Sequence, residues 1–205
     1  MKPVLVLASQ SPRRKELLSQ LGYQFQTIAA DIDESIRDNE SPNDYVLRLA
    51  IEKAKVVAEN QEANSIVLGS DTSVIFDQHI LGKPETIDDC CKQLLMLSNN
   101  THQVLTAIAA IKNNKIYSAI ISTEVTFKVL SIEEIQRYWH TGEPQDKAGS
   151  YGIQGIGGQF VTQINGSYSA VVGLPLYETA TLLAELDYPT PIQDPITTIN
   201  SGEIL

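Results

Sequence analysis

The feature that most constrains this chain is its opening passage, Val4-Leu5-Val6-Leu7-Ala8-Ser9-Gln10-Ser11-Pro12-Arg13-Arg14-Lys15-Glu16-Leu17-Leu18. Four large apolar residues and an alanine in succession read as a buried strand, and Leu17, Leu18 and Leu21 recur as the inner face of a helix does. Ser11 can accept an orphan amide of the first helical turn, and a proline there loses nothing by lacking its N–H, so the helix starts at Pro12. The positive end of a helix dipole favours acids, yet this one carries Arg13, Arg14 and Lys15, each costing roughly 0.3–1 kcal/mol when exposed. An anion on that end would relieve the cost, held by free amides, the Ser9 and Ser11 hydroxyls and the guanidinium forks. A polyphosphate is the leading candidate; cations that simply point into water are the equally weighted alternative.

The remaining composition narrows the field. A chain of 205 residues, 42% hydrophobic and 20% charged, can bury one substantial core or two small lobes around a shared sheet. No apolar run approaches the ~18 residues of a membrane span. The apolar run behind Met1-Lys2-Pro3 is too short for a secretory leader, so a cytoplasmic protein is expected. A net charge of −10 argues against general nucleic-acid binding. Any phosphate site must therefore gather cations locally, against the overall field. Cys90 and Cys91 are adjacent and form no Cys-x-x-Cys, and His79, His102 and His140 lack metal-ligand spacing. Reduced, structural thiols are expected, and a zinc enzyme is disfavoured.

Further along, Tyr23, Phe25, Thr27 and Ala29 alternate like a half-buried strand that ends in Asp31-Ile32-Asp33-Glu34, an acidic group in a loop. Ser41-Pro42 starts a second helix, running to about Asn60. Residues at ~100° intervals place Val46, Leu49, Ala50, Ala54 and Val57 on one arc, with Lys53 in its middle. That lysine must snorkel to an edge or face a polar cleft with an anionic partner.

The run from Ser65 to Ser70 reads as a short buried strand ending at Asp71-Thr72, with extended structure resuming at Val74 and Phe76. An acid at the carboxyl end of a central strand is where open α/β sheets place ligand chemistry; a turn or capping aspartate is the alternative. Gly82-Lys83-Pro84 sets one lysine in a stiff turn. A helix is expected from Asp88 to Leu97, strands from Thr101 to Ile111 and from Lys115 to Leu130 around Asn113-Asn114, and a helix from Ser131 to about His140. Seven of the twelve glycines fall between Gly149 and Gly173, beside Lys147, Tyr151 and Gln154, as a backbone that approaches a ligand closely would require. A last helix turns Leu176, Ala180, Leu183 and Leu186 inward.

Taken jointly, Ser9-Gln10-Ser11-Pro12-Arg13-Arg14, Leu49-Ala50-x-x-Lys53-Ala54, Asp71-Thr72, Gly82-Lys83-Pro84, His102-x-Val104-x-Thr106, Asp146-Lys147-Ala148-Gly149, Tyr151-Gly152-Ile153-Gln154-Gly155 and Gly173-Leu174-Pro175-Leu176 resemble the Maf family of nucleotide pyrophosphatases, in order, over roughly residues 4 to 186. The string from Asp146 to Gly155 resembles the branch acting on dTTP and UTP. Two departures stand out: Ser98-Asn99-Asn100, where the family usually has Ser-Gly and a polar residue, and Ser169, where Asn is common. The resemblance implies an α/β fold with a central mixed sheet flanked by helices and a cleft between two lobes, Maf/ITPase-like. It implies a single domain over residues 1–188, a Pro-containing tail over 189–205, and a possible homodimer.

The implied reaction is hydrolysis of a nucleoside triphosphate to the monophosphate and pyrophosphate with a divalent cation, Mg²⁺ or Mn²⁺. The site residues follow. Asp71 is expected to be general base or metal ligand, with Glu34 and Asp33 as further oxygen ligands. Ser9, Ser11, Arg13, Arg14, Lys53, Lys83 and Lys147 are expected to hold phosphates, and Thr72 and Gln154 to choose the base. The rival from another class is a nucleotide-sensing module that binds without cleaving and acts on a cell-division partner.

Overall fold

The computed structural model describes residues 3–193. A seven-stranded mixed sheet runs through the molecule in the order β2-β1-β3-β5-β6-β7, with β4 also paired to β3. The strands are β1 (Leu5–Ala8), β2 (Gln26–Ile28), β3 (Ile66–Phe76), β4 (His79–Leu81), β5 (Thr101–Lys112), β6 (Lys115–Phe127) and β7 (Val161–Asn165). β1 pairs in parallel with β2 and β3, and the remaining pairings are antiparallel. The helices are α1 (Pro12–Gln20), α2 (Pro42–Ala58), α3 (Ile87–Leu97), α4 (Ile132–Trp139), α5 (Tyr168–Val172) and α6 (Leu176–Glu185). Among the described residues, no helix is long and apolar enough to cross a membrane.

Local chemistry explains these elements. Ser11 and Ser41 cap α1 and α2 by accepting the amides of Arg14 and Asp44, each followed by proline at the helix start, as the sequence predicts. α3 opens on a full capping box between Thr86 and Asp89. α2 buries Val46, Leu49, Ala50, Lys53, Ala54 and Val57, the arc expected from its period.

The long strands β3 and β5 carry two cores on one face of the sheet. Near one end, Leu5, Leu7, Ile66, Leu68, Ile108 and Ala110 pack under Leu17 and Leu18 of α1 and Leu182 and Leu183 of α6. Near the other, Val74, Val104, Val125 and Phe127 pack under Cys90, Leu94 and Leu97 of α3 and Ile135 and Tyr138 of α4. Each fully buried Leu, Ile or Phe contributes about 1.5–3 kcal/mol. Between these cores the same face carries buried Ser70 and Thr106 and half-buried Thr72, so a polar belt divides the molecule into two lobes. α2 covers the opposite face, with Ala50 and Ala54 against Val67, Ala107 and Ala109.

Several expectations are corrected. The segment after Ser70 does not end a strand at Asp71-Thr72: β3 continues to Phe76 because β5 pairs with it from Val67 through Ile75. The strand expected from Tyr23 to Ala29 is reduced to three residues at the sheet edge. β6 stops at Phe127 rather than Leu130. The glycine-rich segment contains β7 and α5, neither of which was anticipated. α6 buries Thr179, Leu182 and Leu183, with Leu176 and Ala180 only half-buried. Of the expected tail, Thr190 is buried and Pro191 lies against Gly22; positions 194–205 lie outside the described residues.

Candidate active site

The site begins with a gap in the sheet. On the edge of β3 shared with β1 and β4, β1 pairs only with Ile66–Leu68 and β4 only with Val74–Phe76. Gly69 to Ser73 therefore have no strand on that side, and Asp71 sits in the middle of the opening. Strand alternation sends Gly69, Asp71 and Ser73 to the α2 face, and Ser70 and Thr72 to the other.

Gly69 sets the distance to α2. A Cβ built there would stand 2.3 Å from the Ala50 carbonyl oxygen and 2.9 Å from the Ala54 amide, so only glycine allows this approach. The consequence is that Lys53, on the inner face of α2, reaches Asp71. Its Nζ donates to Asp71 Oδ1 at 2.7 Å and lies 2.7 Å from Glu34 Oε1. Lys53 and Asp71 are 8% and 7% exposed, so neither charge could stay there unpaired. Of the two fates open to Lys53, the structure shows the polar cleft with anionic partners. Burial pushes the Glu34 carboxyl up, but the Lys53 ammonium, with Lys83 and Arg14 farther off, outweighs this and holds it below its usual range.

The loop carrying Glu34 is tied to the solvent side of α2. The Tyr45 hydroxyl donates to the Glu34 carbonyl at 2.9 Å, and burial, then the fields of Asp71 and Glu34, push the Tyr45 phenol up to about 12. Arg48 grips the Glu40 carboxylate through two nitrogens and donates to the Ser35 carbonyl at 2.9 Å.

A cavity of about 1240 Å³ opens over this group, lined by Ser9, Ser11, Arg13, Arg14, Glu34, Lys53, Asp71, Thr72, Lys83, Lys147 and Gln154. All the expected site residues except Asp33 thus border one space. Asp33 is outside its lining, its carboxylate accepting the Ser35 amide at 2.9 Å, while Asp31 is inside. The lysine turn is joined to the glycine-rich loop by a hydrogen bond from the Gly149 amide to the Gly82 carbonyl at 3.1 Å. Gly149 has φ +68, and a Cβ there would lie within 2.9 Å of the Cβ and both Cγ atoms of Val74, so glycine is required on both counts.

Ser9 Oγ accepts the Ser11 amide at 3.1 Å and Ser11 Oγ accepts the Arg14 amide at 3.5 Å, so both hydroxyl protons remain for a ligand. The three cations of α1 part company. Arg13 lines the cavity with no hydrogen bond or ion pair among the described residues, and Lys15 is exposed. Arg14 runs under the sheet, where its Nε donates to the Gly173 carbonyl at 2.9 Å and its Nη2 to Thr72 Oγ1 at 3.3 Å. Burial lowers the Arg14 pKa from its ordinary value, opposed by the field of Asp71.

Sequence reasoning missed Tyr45, Ser73 and Glu143, and named Asp31 only within the acidic group Asp31-Ile32-Asp33-Glu34; all four also border the cavity. Glu143 opens a short 3-10 turn with no distinguishing pattern, whereas Ser73 stands two residues from Asp71 and strand alternation could have found it. His102 is fully internal: its Nε2 pairs with the Tyr151 hydroxyl at 2.8 Å, and burial pushes its pKa down to about 4. Among the described residues, no group of three or more His, Cys, Asp or Glu side chains is placed to hold a metal ion.

The chain is 61% identical over 188 residues to a dTTP/UTP pyrophosphatase of Colwellia psychrerythraea, covering 90% of this chain and 89% of that protein. It is 57% identical over 183 residues to one of Pseudoalteromonas translucida (89% and 97% covered) and 53% identical over 181 residues to one of Vibrio parahaemolyticus (88% and 96% covered). Among solved structures it is similar to a dITP/XTP pyrophosphatase of Mycobacterium abscessus, at 12% identity and a TM-score of 0.44 over 95% of this chain and 98% of that one, too slight a likeness to argue from. The family described as Maf-like protein matches residues 4–186, nearly the whole described fold and every residue of the cavity named above, and the chain belongs to the Maf family.

Proposed function

We propose that the protein is a nucleoside triphosphate pyrophosphatase, hydrolysing dTTP and UTP to the monophosphate and pyrophosphate. One observation carries the reading: in a chain of net charge −10, Arg13, Lys53, Lys83 and Lys147 meet on one cavity, and the innermost lysine grips a pair of carboxylates. The activity named for the three relatives supports it.

In this reaction water forms a bond to the α-phosphorus, the bond from that phosphorus to the bridging oxygen breaks, and pyrophosphate leaves. Asp71 takes the water proton. Its Oδ1 is engaged by Lys53, and Oδ2, 3.4 Å from the Ser73 hydroxyl, keeps acceptor capacity for a water. Arg13, Lys83 and Lys147 neutralise the phosphate chain, and the free protons of Ser9 and Ser11 donate to its oxygens. Arg14 already uses two donors on the protein and so contributes charge and support for Thr72.

Glu34 and Asp71 fit a Mg²⁺ or Mn²⁺ ion. Both reach the same ammonium at 2.7 Å, so they can share one cation, and Mg²⁺ commonly takes one or two carboxylates and fills its other positions with phosphate oxygens and water. When bound, such an ion would supply charge neutralisation on the phosphates.

Base choice follows from counting protons. Thr106 has a single hydroxyl proton, and the Ala170 carbonyl at 2.7 Å can only accept it. That proton is shared with Thr72 Oγ1 at 3.0 Å, and Arg14 Nη2 donates to Thr72 Oγ1 at 3.3 Å. Thr72 thus accepts from two sides and keeps its own hydroxyl proton. That proton suits the 4-carbonyl of uracil or thymine and meets the amino donor of cytosine unfavourably, and the Gln154 carboxamide can pair with a neighbouring base edge.

The test is to incubate the protein with Mg²⁺ and a panel of nucleoside triphosphates. Matched amounts of pyrophosphate and monophosphate from dTTP and UTP are expected; binding without either product would sustain the sensing module instead.

A further inference from the structure

We propose that Tyr138 and Glu143 form a clasp that positions Gln154 and, through it, sets the choice of base. The proposal rests on the reading of Gln154 as a base contact. The segment Gly152–Gly157 is held at both ends by this one pair. At its start the Gly152 amide donates to the Tyr138 hydroxyl oxygen at 3.1 Å, and that hydroxyl donates to Glu143 Oε1 at 2.7 Å. At its end the Ile156 amide donates to Glu143 Oε2 at 2.7 Å and the Gly157 amide to Oε1 at 2.9 Å. Between them the Gly155 amide closes a turn onto the Gly152 carbonyl at 3.2 Å, and exposed Gln154 sits in that turn on the cavity lining.

The glycines of this segment make room for the clasp, and Gly157 also for the Gly152 backbone, whose amide nitrogen a Cβ there would approach to 3.0 Å. A Cβ on Gly155 would stand 2.3 Å from Glu143 Oε2, one on Gly157 2.5 Å from the Tyr138 hydroxyl, and one on Gly152 3.2 Å from Glu143 Oε1. None of the three has a φ in the left-handed region, so what each provides is room. The clasp has a firm base. Tyr138 is buried on α4 with its ring edge-on to Phe160, centroids 4.9 Å apart. Burial raises the Glu143 carboxyl, but the Gly157 amide, the Tyr138 hydroxyl and the Ile156 amide outweigh it and keep the group ionised at neutral pH. As an acceptor of three hydrogen bonds, the carboxylate has no equal in a carboxamide, which would turn a donor toward an amide N–H.

The experiment compares kcat/KM for UTP and CTP in the wild-type protein, Tyr138→Phe, Glu143→Gln, Gln154→Ala and the Tyr138→Phe/Gln154→Ala double variant. The UTP:CTP ratio is internal to each preparation, so a fraction of unfolded protein cancels. Tyr138→Phe removes both hydrogen bonds of that hydroxyl and should lower the ratio by roughly 3- to 10-fold. Gln154→Ala should lower it at least as much, and the double variant no further, because Tyr138 acts through Gln154. A Tyr138→Phe ratio equal to wild type, with Gln154→Ala still impaired, would overturn the clasp and leave the base contact standing. An unchanged ratio in Gln154→Ala would overturn both. Should Glu143→Gln not fold, Tyr138→Phe, which removes only the hydroxyl, decides.

Discussion

A lysine on the apolar stripe of a helix is tolerated when its charge is met at the end of its reach. Lys53 is met twice, by Asp71 and Glu34, and in turn keeps two carboxylates together at one point of the cleft. The roles of the three groups separate by experiment. Asp71→Asn keeps the shape and removes the base, so kcat should fall about 10²- to 10⁴-fold while titration calorimetry still detects nucleotide binding. Retained turnover would end the assignment. Lys53→Met leaves Glu34 and Asp71 without their ammonium. Burial, already raising the Glu34 carboxyl, then acts unopposed by the nearest cation. Its protonation moves to higher pH, and the acidic limb of the kcat/KM profile should shift upward; an unmoved limb would mean that Lys53 does not tune the Glu34 carboxyl.

At the scale of elements, the site depends on how close α2 lies to β3. Gly69→Ala would force its Cβ against the Ala50 carbonyl and the Ala54 amide, both helix backbone, which cannot rotate away. Overpacking of this kind costs about 1–3 kcal/mol, and Lys53 must move with the helix. We expect a lower denaturation midpoint together with reduced kcat, whereas loss of stability with full activity would show that the α2 spacing does not set the site. On the opposite side of α2, Arg48 bonds to Glu40 strongly enough to outweigh burial, and the carboxyl is lowered to about 2. A carboxyl depressed on folding stabilises the fold above its unfolded value and ceases to do so as pH falls through the folded one. Stability from this pair should therefore be present at neutral pH and disappear between about pH 4.5 and 2. Acid titration of the midpoint in wild-type and Arg48→Met protein checks this: the variant should lack that part of the slope.

For the whole molecule, cations from α1, α2, the turn before α3 and the glycine-rich loop border one cavity between two cores. A ligand touching all of them ties the lobes together. A non-hydrolysable dTTP analogue with Mg²⁺ at about 100 times its Kd should stabilise the fold by about 2.7 kcal/mol, raising Tm by roughly 5–10 °C at this chain length. The shift should survive in Asp71→Asn and shrink in Arg13→Ala or Lys83→Ala. Equal shifts in all of them would place the nucleotide elsewhere.

Much of this architecture was legible because it rests on short-range physics. Ser11-Pro12 and Ser41-Pro42 mark helix starts through capping, and the α2 arc, with Lys53 inside it, follows from 3.6-residue periodicity. What misled was β3, where Gly69, Ser70, Asp71, Thr72 and Ser73 look like the end of a strand. They continue it because β5, some thirty residues later, supplies the hydrogen-bond partners. The Tyr138–Glu143 clasp was likewise hidden, since its glycines leave room for side chains that no local pattern connects to them. The sequence by itself determined the first four long helices and the inner face of α2, and the charged residues these carry, because backbone propensity and periodicity act over a few residues. Only the tertiary structure decided which charges meet. Pairing of Lys53 with Glu34 and Asp71 depends on strand register and on a helix resting against a glycine, and those distances are set by contacts between distant parts of the chain.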